Sequence, residues 1–169
     1  MLGRGVFLGN ILTTLFSLGF SKEAVVVIIS ALPVVELRGA LPVAINLFGF
    51  SWYYALLLAI LGNLIPVPLL LLFFGTISHR LSKIDIFKRW FNRLEEHTRR
   101  RGKIVERYKR TGLVLFVAVP LPVTGAWTGS LAATIFKVRF KHAFLSILTG
   151  VCIAGAIVTN LCLLAEKGL

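Results

Sequence analysis

Three long stretches without a formal charge limit what this chain can fold into more than any other feature. A run of 41 residues separates Arg38 from Arg80, 26 separate Arg110 from Lys137, and 24 separate Lys141 from Glu166. A helix needs roughly 20 predominantly apolar residues to cross the hydrocarbon core of a bilayer. With 57% hydrophobic residues, 15% charged residues and a mean hydropathy of +0.86, the 169-residue chain lacks the polar surface to cover a soluble core. Composition also excludes a disordered protein and a collagen-like fibre. Ten-residue segments of strict alternation, the mark of a membrane barrel, do not occur in the sequence. The expected fold class is an all-α integral membrane protein.

The formal charge of +12 is unevenly placed: residues 80 to 110 hold 12 of the 19 Lys and Arg, against Asp85, Glu95, Glu96 and Glu106. A basic segment between spans lies on the cytoplasmic side by the positive-inside rule. Topology accounts for these charges, and no aromatic readout pattern accompanies them, so nucleic acid is not an expected partner. Within the segment, Ile84, Phe87, Trp90, Phe91 and Leu94 recur at three- and four-residue steps, which predicts one apolar helix face. Such a basic amphipathic helix either lies in the interface against anionic lipid or packs on the bundle.

The apolar part contains two kinds of segment. Trp52–Gly75, opened by Trp52, Tyr53 and Tyr54 as an interfacial belt, and Ala143–Leu164 are long enough to cross as helices. Two others carry helix breakers. Ala24–Leu47 contains Pro33, Gly39 and Pro42, with Glu36 and Arg38 at its centre; Leu113–Phe136 contains Pro120, Pro122, Gly125 and Gly129. Proline removes a backbone donor and disfavours helix just before it. Leu113 to Val119 would give only about 10 Å of helix, a third of the core. Both segments are therefore expected to enter and turn back. Non-helical backbone at that depth must be buried in protein or line a wet cavity.

The two halves share this order of elements. A shift of 88 sets Phe48 on Phe136, Ala55 on Ala143, Leu57 on Leu145 and Gly62 on Gly150. With the basic segment inside, the first broken segment enters from outside and the second from inside. That is an inverted repeat, an architecture of transporters whose sites lie where broken helices meet. The expected organisation is a single membrane domain, 1–169. It divides into an N-terminal segment (1–22), a first repeat (23–76), a basic cytoplasmic linker (77–112) and a second repeat (113–165). Residues 5–21 are expected either to cross the membrane or to lie flat on its cytoplasmic side.

Glu36 and Arg38 are the leading site candidates, since charges in an apolar segment need a cavity, a partner or a function. Glu36 is the candidate proton carrier, because burial disfavours the ionised form of a carboxyl. Arg38 keeps its charge and matches phosphate or carboxylate with a planar fork. The competing reading is a structural ion pair that pins the tip of the segment. Gly62-Asn63-Leu-Ile-Pro66 places an amide inside a span, where Asn63 either lines the site or bonds backbone freed by Pro66. Thr124, Trp127 and Thr128, interleaved with Gly125 and Gly129, offer a small polar lining of two hydroxyls and one indole donor; Gly125 and Gly129 also have the spacing of close helix packing. His79, His97 and His142 fall near the proposed interfaces. Cys152 and Cys162 stand ten apart in one span and are expected as packing residues, not a disulfide. The sequence holds no hydrolytic combination, metal-ligand spacing or cofactor motif, so neither an enzyme nor a resident metal or cofactor is expected.

The runs ELRGALP at 36–42, GNLIPVPLLL at 62–71 and PLPVTGAWTGSLAA at 120–133 resemble the small multi-drug export protein family of prokaryotes, over roughly residues 24 to 160. Val123 departs from the glycine usual before Thr-Gly-Ala-Trp. The resemblance implies a multi-pass protein of the prokaryotic inner membrane that exports small amphiphiles, and Glu36 is expected to couple that transport to protons. A more distant similarity is to DedA-like membrane proteins, which implies paired re-entrant helices and a lipid-linked phosphate as cargo. Those proteins place arginines around the second proline pair, where this chain has Ala118, Val119, Val123 and Thr124. Expected partners are membrane lipids and an amphipathic small molecule or lipid-linked anion, with self-association into a homo-oligomer. A non-transporting assembly or lipid-organising protein is the reading from another class.

Overall fold

The computed structural model describes residues 2–81, 102–119 and 124–166. All regular structure among them is helical: α1 (Leu2–Ser17), α2 (Lys22–Ala31), α3 (Glu36–Pro42), a π-helical turn (Val43–Leu47), α4 (Trp52–Leu64), α5 (Pro66–Leu81), α6 (Gly102–Ala118), α7 (Ala126–Ile135) and α8 (Phe140–Glu166). Among the described residues, two stretches are long and apolar enough to cross a membrane, Trp52–Phe74 and Phe140–Ala165. The first joins α4 to α5. It turns only at Ile65, whose N–H still reaches the Leu61 carbonyl at 3.2 Å, because Pro66 tolerates a first-turn position where its missing N–H is not needed. The 16-residue α1 falls short of spanning length.

The chain forms two compact units, Met1–Ile65 with Cys152–Leu169, and Pro66–Val151. In the first, Ser21 caps α2 by accepting from the Ala24 N–H at 3.3 Å. Helix α2 buries Val25, Val26 and Ile29 against α3 and α4. A Cβ on Gly62 of α4 would strike the Val27 carbonyl oxygen and stand 2.9 Å from Val27 Cα, so the two backbones nearly touch. At the end of this unit that carries the 48–54 connection, Phe16, Phe48, Phe50 and Tyr54 form successive edge-to-face pairs 5.4–6.0 Å apart. The Lys22 ammonium lies 6.0 Å from the Phe48 ring. Of these rings only Tyr54 carries a polar group; together with Trp52 and Tyr53 it makes up the Trp and Tyr cluster of the kind enriched at membrane interfaces.

In the second unit α7 packs on α5 and α6. Val117 of α6 is the hinge of this packing. A Cβ on Gly129 would sit 2.6 Å from its side chain. One on Gly150 of α8 would sit 2.6 Å from Val117 Cβ and 2.9 Å from the Val114 carbonyl oxygen. Leu57 and Leu61 in the first unit, and Leu69, Leu72 and Phe73 in the second, are more than half exposed. So large an apolar surface fits lipid rather than water.

Several expected breaks are helix interior instead. Gly39, Gly62 and Gly129 lie within α3, α4 and α7. At Gly62 and Gly129 the missing Cβ permits close approach, not a change of direction. Pro42 is the last residue of α3 but does not turn the chain back: the chain continues directly into the π-helical turn. The short helix expected from Leu113 is the end of a 17-residue α6 that begins at Gly102, since the cationic first turns continue the same helix. The real interruptions are at Pro33 and around Gly125. Pro120, Pro122 and the amphipathic stripe at 84–94 lie outside the described residues.

Candidate functional site

The first unit holds the polar centre. Leu32, before Pro33, is extended (φ −73°, ψ 140°), the conformation that a following proline ring imposes. Helix α2 therefore stops at Ala31. The chain turns through Pro33 and Val34, both exposed, and restarts at Glu36, whose N–H donates to the Leu32 carbonyl at 3.0 Å. Glu36 has φ 51°. This left-handed conformation costs an L-residue with a Cβ roughly 1–2 kcal/mol, and it is normally given to glycine. Its side chain is nevertheless only 9% exposed. Arg38 is half-buried and within Coulombic reach of the Glu36 carboxylate. An apolar segment thus presents an acid and a base on strained, interrupted backbone, a combination typical of functional sites.

Pro42 shapes the far side of this segment. Without an N–H it cannot donate to the Arg38 carbonyl one turn back. The ladder then widens: the Phe48 N–H reaches Val43, five residues back, and the Phe50 N–H reaches Ala44, six back, both at 3.0 Å. π-Helical turns inside helices recur at functional sites.

Asn63 belongs to the same unit and is 3% exposed, and its Oδ1 has no hydrogen-bond partner among the described residues. One turn away, the buried Ser30 hydroxyl of α2 donates to the Ala59 carbonyl of α4. Asn63 therefore stands beside the tightest α2–α4 approach with a free acceptor. Thr159, in the segment of α8 that belongs to this unit, has a likewise unpartnered hydroxyl; neither its burial nor its role is legible from sequence.

Thr124, Trp127 and Thr128 belong to the second unit. The Thr124 hydroxyl donates to the Val119 carbonyl at 2.8 Å, and Thr128 Oγ1 accepts from the Gly125 N–H at 3.0 Å. Thr128 occupies the third position of α7, so this is one half of a capping box. Both hydroxyls thus satisfy backbone at the interruption between α6 and α7. Helix α7 ends with Lys137 at φ 51°, the Lys137 N–H on Thr134 and the Val138 N–H on Ala133. This Schellman closure normally takes glycine, as it does at Gly19 after α1. Glu36 and Lys137 are the two non-glycine residues with positive φ among the described residues. No metal-binding cluster of His, Cys, Asp and Glu occurs among the described residues.

Two membrane-length helices among the described residues, and a buried carboxylate beside a half-buried guanidinium on an interrupted segment, define a helical membrane protein with a polar site in an apolar segment. The chain belongs to the family described as "Putative small multi-drug export protein", whose model matches residues 36–157 and so begins at Glu36 itself. No curated protein and no solved structure matches it.

Proposed function

We propose that the protein is a multi-pass exporter of small amphiphiles in the prokaryotic inner membrane, with proton movement through Glu36 as its coupling step. The observation that carries this reading is Glu36: a buried carboxylate on left-handed backbone, in electrostatic contact with Arg38, inside an apolar segment. Family membership supports export as the activity.

The proposed architecture is a pair of inverted units, each a re-entrant broken segment followed by a span. Three features recur at the same shift of 88. The spans begin at Trp52 and Phe140. The left-handed residues that precede them are Gly49 and Lys137. The crowded glycines within them are Gly62 and Gly150, each against a carbonyl oxygen of the helix before the break, Val27 or Val114. Such correspondence supports duplication, and the positive-inside rule supports opposite orientation of the copies.

The test is export by purified protein in liposomes under an imposed pH gradient, with a cationic and an anionic fluorescent amphiphile in parallel. Glu36→Gln is expected to abolish gradient-driven flux while leaving the fold intact. Undiminished flux in that variant refutes the coupling role. Arg38 favours a second reading, transport of a lipid-linked phosphate, because a guanidinium matches phosphate with two parallel hydrogen bonds. Under it, Arg38→Lys weakens the anionic ligand and spares the cationic one. Absence of flux with every amphiphile and lipid phosphate favours the non-transporting reading.

A further inference from the structure

A cavity of about 520 Å³ opens in the second unit between α6 and α7. Lys109, Gly112, Leu113 and Phe116 line it from α6, and Ala132 and Phe136 from α7. The two helices run antiparallel here, for Val117 meets Gly129 while the earlier α6 residues meet Ala132 and Phe136. At one end the Val117–Gly129 contact brings the two helices together. From there the groove runs eight residues along α6, about 12 Å, to a mouth at Tyr108 and Lys109.

Its chemistry is graded. The floor is hydrocarbon and aromatic. Tyr108 at the mouth is 74% exposed, the placement of an amphipathic ring at headgroup depth. Lys109 supplies a cation there and is the last but one of the 12 Lys and Arg in residues 80 to 110. Phe136 on the opposite wall precedes Lys137. The size falls within the range of small-molecule sites.

Gly112 adds an independent observation. Glycine is a poor helix former, and at Gly129 and Gly150 in this unit it permits close packing. At Gly112, mid-helix, an added Cβ would meet nothing within 4 Å. No protein atom requires the missing side chain there, and a larger residue would project into the groove that Gly112 lines.

We propose that this groove holds one acyl chain of an anionic phospholipid, with the lipid phosphate at Lys109 and the chain running past Gly112 towards the Val117–Gly129 contact. A cationic amphiphile would meet Lys109 with like charge, and a zwitterionic lipid would gain less there. The inference rests on the proposed orientation, which puts this end of α6 in the anionic cytoplasmic leaflet. It does not rest on export.

The test uses the full-length protein in detergent, titrated with phosphatidylglycerol or phosphatidylcholine, with bound lipid read by native mass spectrometry and folding by thermal unfolding. The wild type is expected to retain phosphatidylglycerol about fivefold better, the effect of one cation near an anionic headgroup. Lys109→Gln should erase that preference, and Gly112→Leu should remove the retained lipid without lowering the melting temperature. Ala132→Leu fills the groove from the other wall and should act alike. Undiminished phosphatidylglycerol retention in a folded Gly112→Leu or Ala132→Leu protein overturns the proposal. So does an intact preference in Lys109→Gln. Retention of dodecyl phosphate but not phosphatidylglycerol also overturns it and assigns the groove to free amphiphiles. None of these readouts depends on flux, so failure of the export reading leaves the outcome distinct.

Discussion

The left-handed residues before the two spans give the sharpest test of the physical reasoning. At Gly49, φ is 70°, and an added Cβ would meet nothing within 4 Å. Gly49→Ala therefore isolates backbone strain from packing. The left-handed conformation costs roughly 1–2 kcal/mol once a Cβ is present. Removing a glycine's extra unfolded-state freedom returns roughly 0.5–1 kcal/mol. The net expectation is a loss of about 1 kcal/mol. At Lys137, with φ 51°, the same terms reverse. Lys137→Gly relieves the strain in the Schellman closure and should stabilise by about 0.5–1 kcal/mol. Lys137→Asn is the control, since asparagine tolerates this region and removes the charge as well. Thermal unfolding in one detergent, with all variants side by side, reads the signs as shifts of about 2–4 °C per kcal/mol for a chain of this size. Neutral Gly49→Ala would refute the strain argument. If Lys137→Gly destabilises, the lysine side chain contributes more to the fold than its backbone loses, and the closure is not where the tension lies.

Other substitutions test packing, the site and topology. Gly62→Ala places a Cβ against the Val27 backbone and should destabilise by about 2–3 kcal/mol, the upper part of the overpacking range. Gly155→Ala meets only side-chain tips, Leu56 Cδ1 at 2.6 Å and Leu37 Cδ1 at 3.3 Å, so its cost in the same melting assay should stay below about 1 kcal/mol. Arg38→Ala leaves Glu36 buried without its base and should lower stability by about 3 kcal/mol, whereas Glu36→Gln combined with Arg38→Gln should recover much of it; equal losses in single and double variants would exclude an ion pair. A cysteine at position 95 should react with an impermeant thiol reagent only from the cytoplasmic side, and labelling from outside would reverse the orientation.

The sequence was most readable where chemistry acts locally. Pro33 forces Leu32 to be extended, and the helix ends one residue earlier. Charge-free runs announce both spans. Glycines were harder to read, because one residue type serves opposite ends. Gly125 sits at an interruption, but Gly62 and Gly129 lie inside helices where a neighbour comes close, and only tertiary contacts distinguish these cases. The extent of α6 was hidden by its charges: Lys103 to Arg110 read as linker, yet cationic residues are good helix formers and carry the helix into Leu113–Ala118. The left-handed backbone at Glu36 has no local signal, since the residues that favour it are glycine and asparagine. The α6–α7 groove is a product of helix pairing. Its one trace in the sequence is Gly112, a glycine in mid-helix.

Packing and polarity in the first unit are linked by a single physical requirement. In an apolar medium, interrupted backbone must find partners or protein cover. The break at Pro33 and the donor missing at Pro42 leave the Glu36–Pro42 turn with a thinned ladder, so it can persist only beneath neighbouring helices. Ala55, Ala59 and Gly62 supply that cover by letting α4 approach α2 almost backbone to backbone, and the Ser30 hydroxyl bonds across the contact. The close approach buries Asn63 with its acceptor unpartnered among the described residues, on a helix packed against α3, which holds the Glu36 carboxylate and the Arg38 guanidinium. Small residues and polar residues are therefore parts of one device. A larger side chain at Gly62 would lift α4 from α2, uncover the broken segment and disturb Glu36 without touching it. This predicts that Gly62→Ala impairs Glu36-dependent flux by more than its loss of stability explains, while Gly155→Ala, which presses only on side-chain tips, does not.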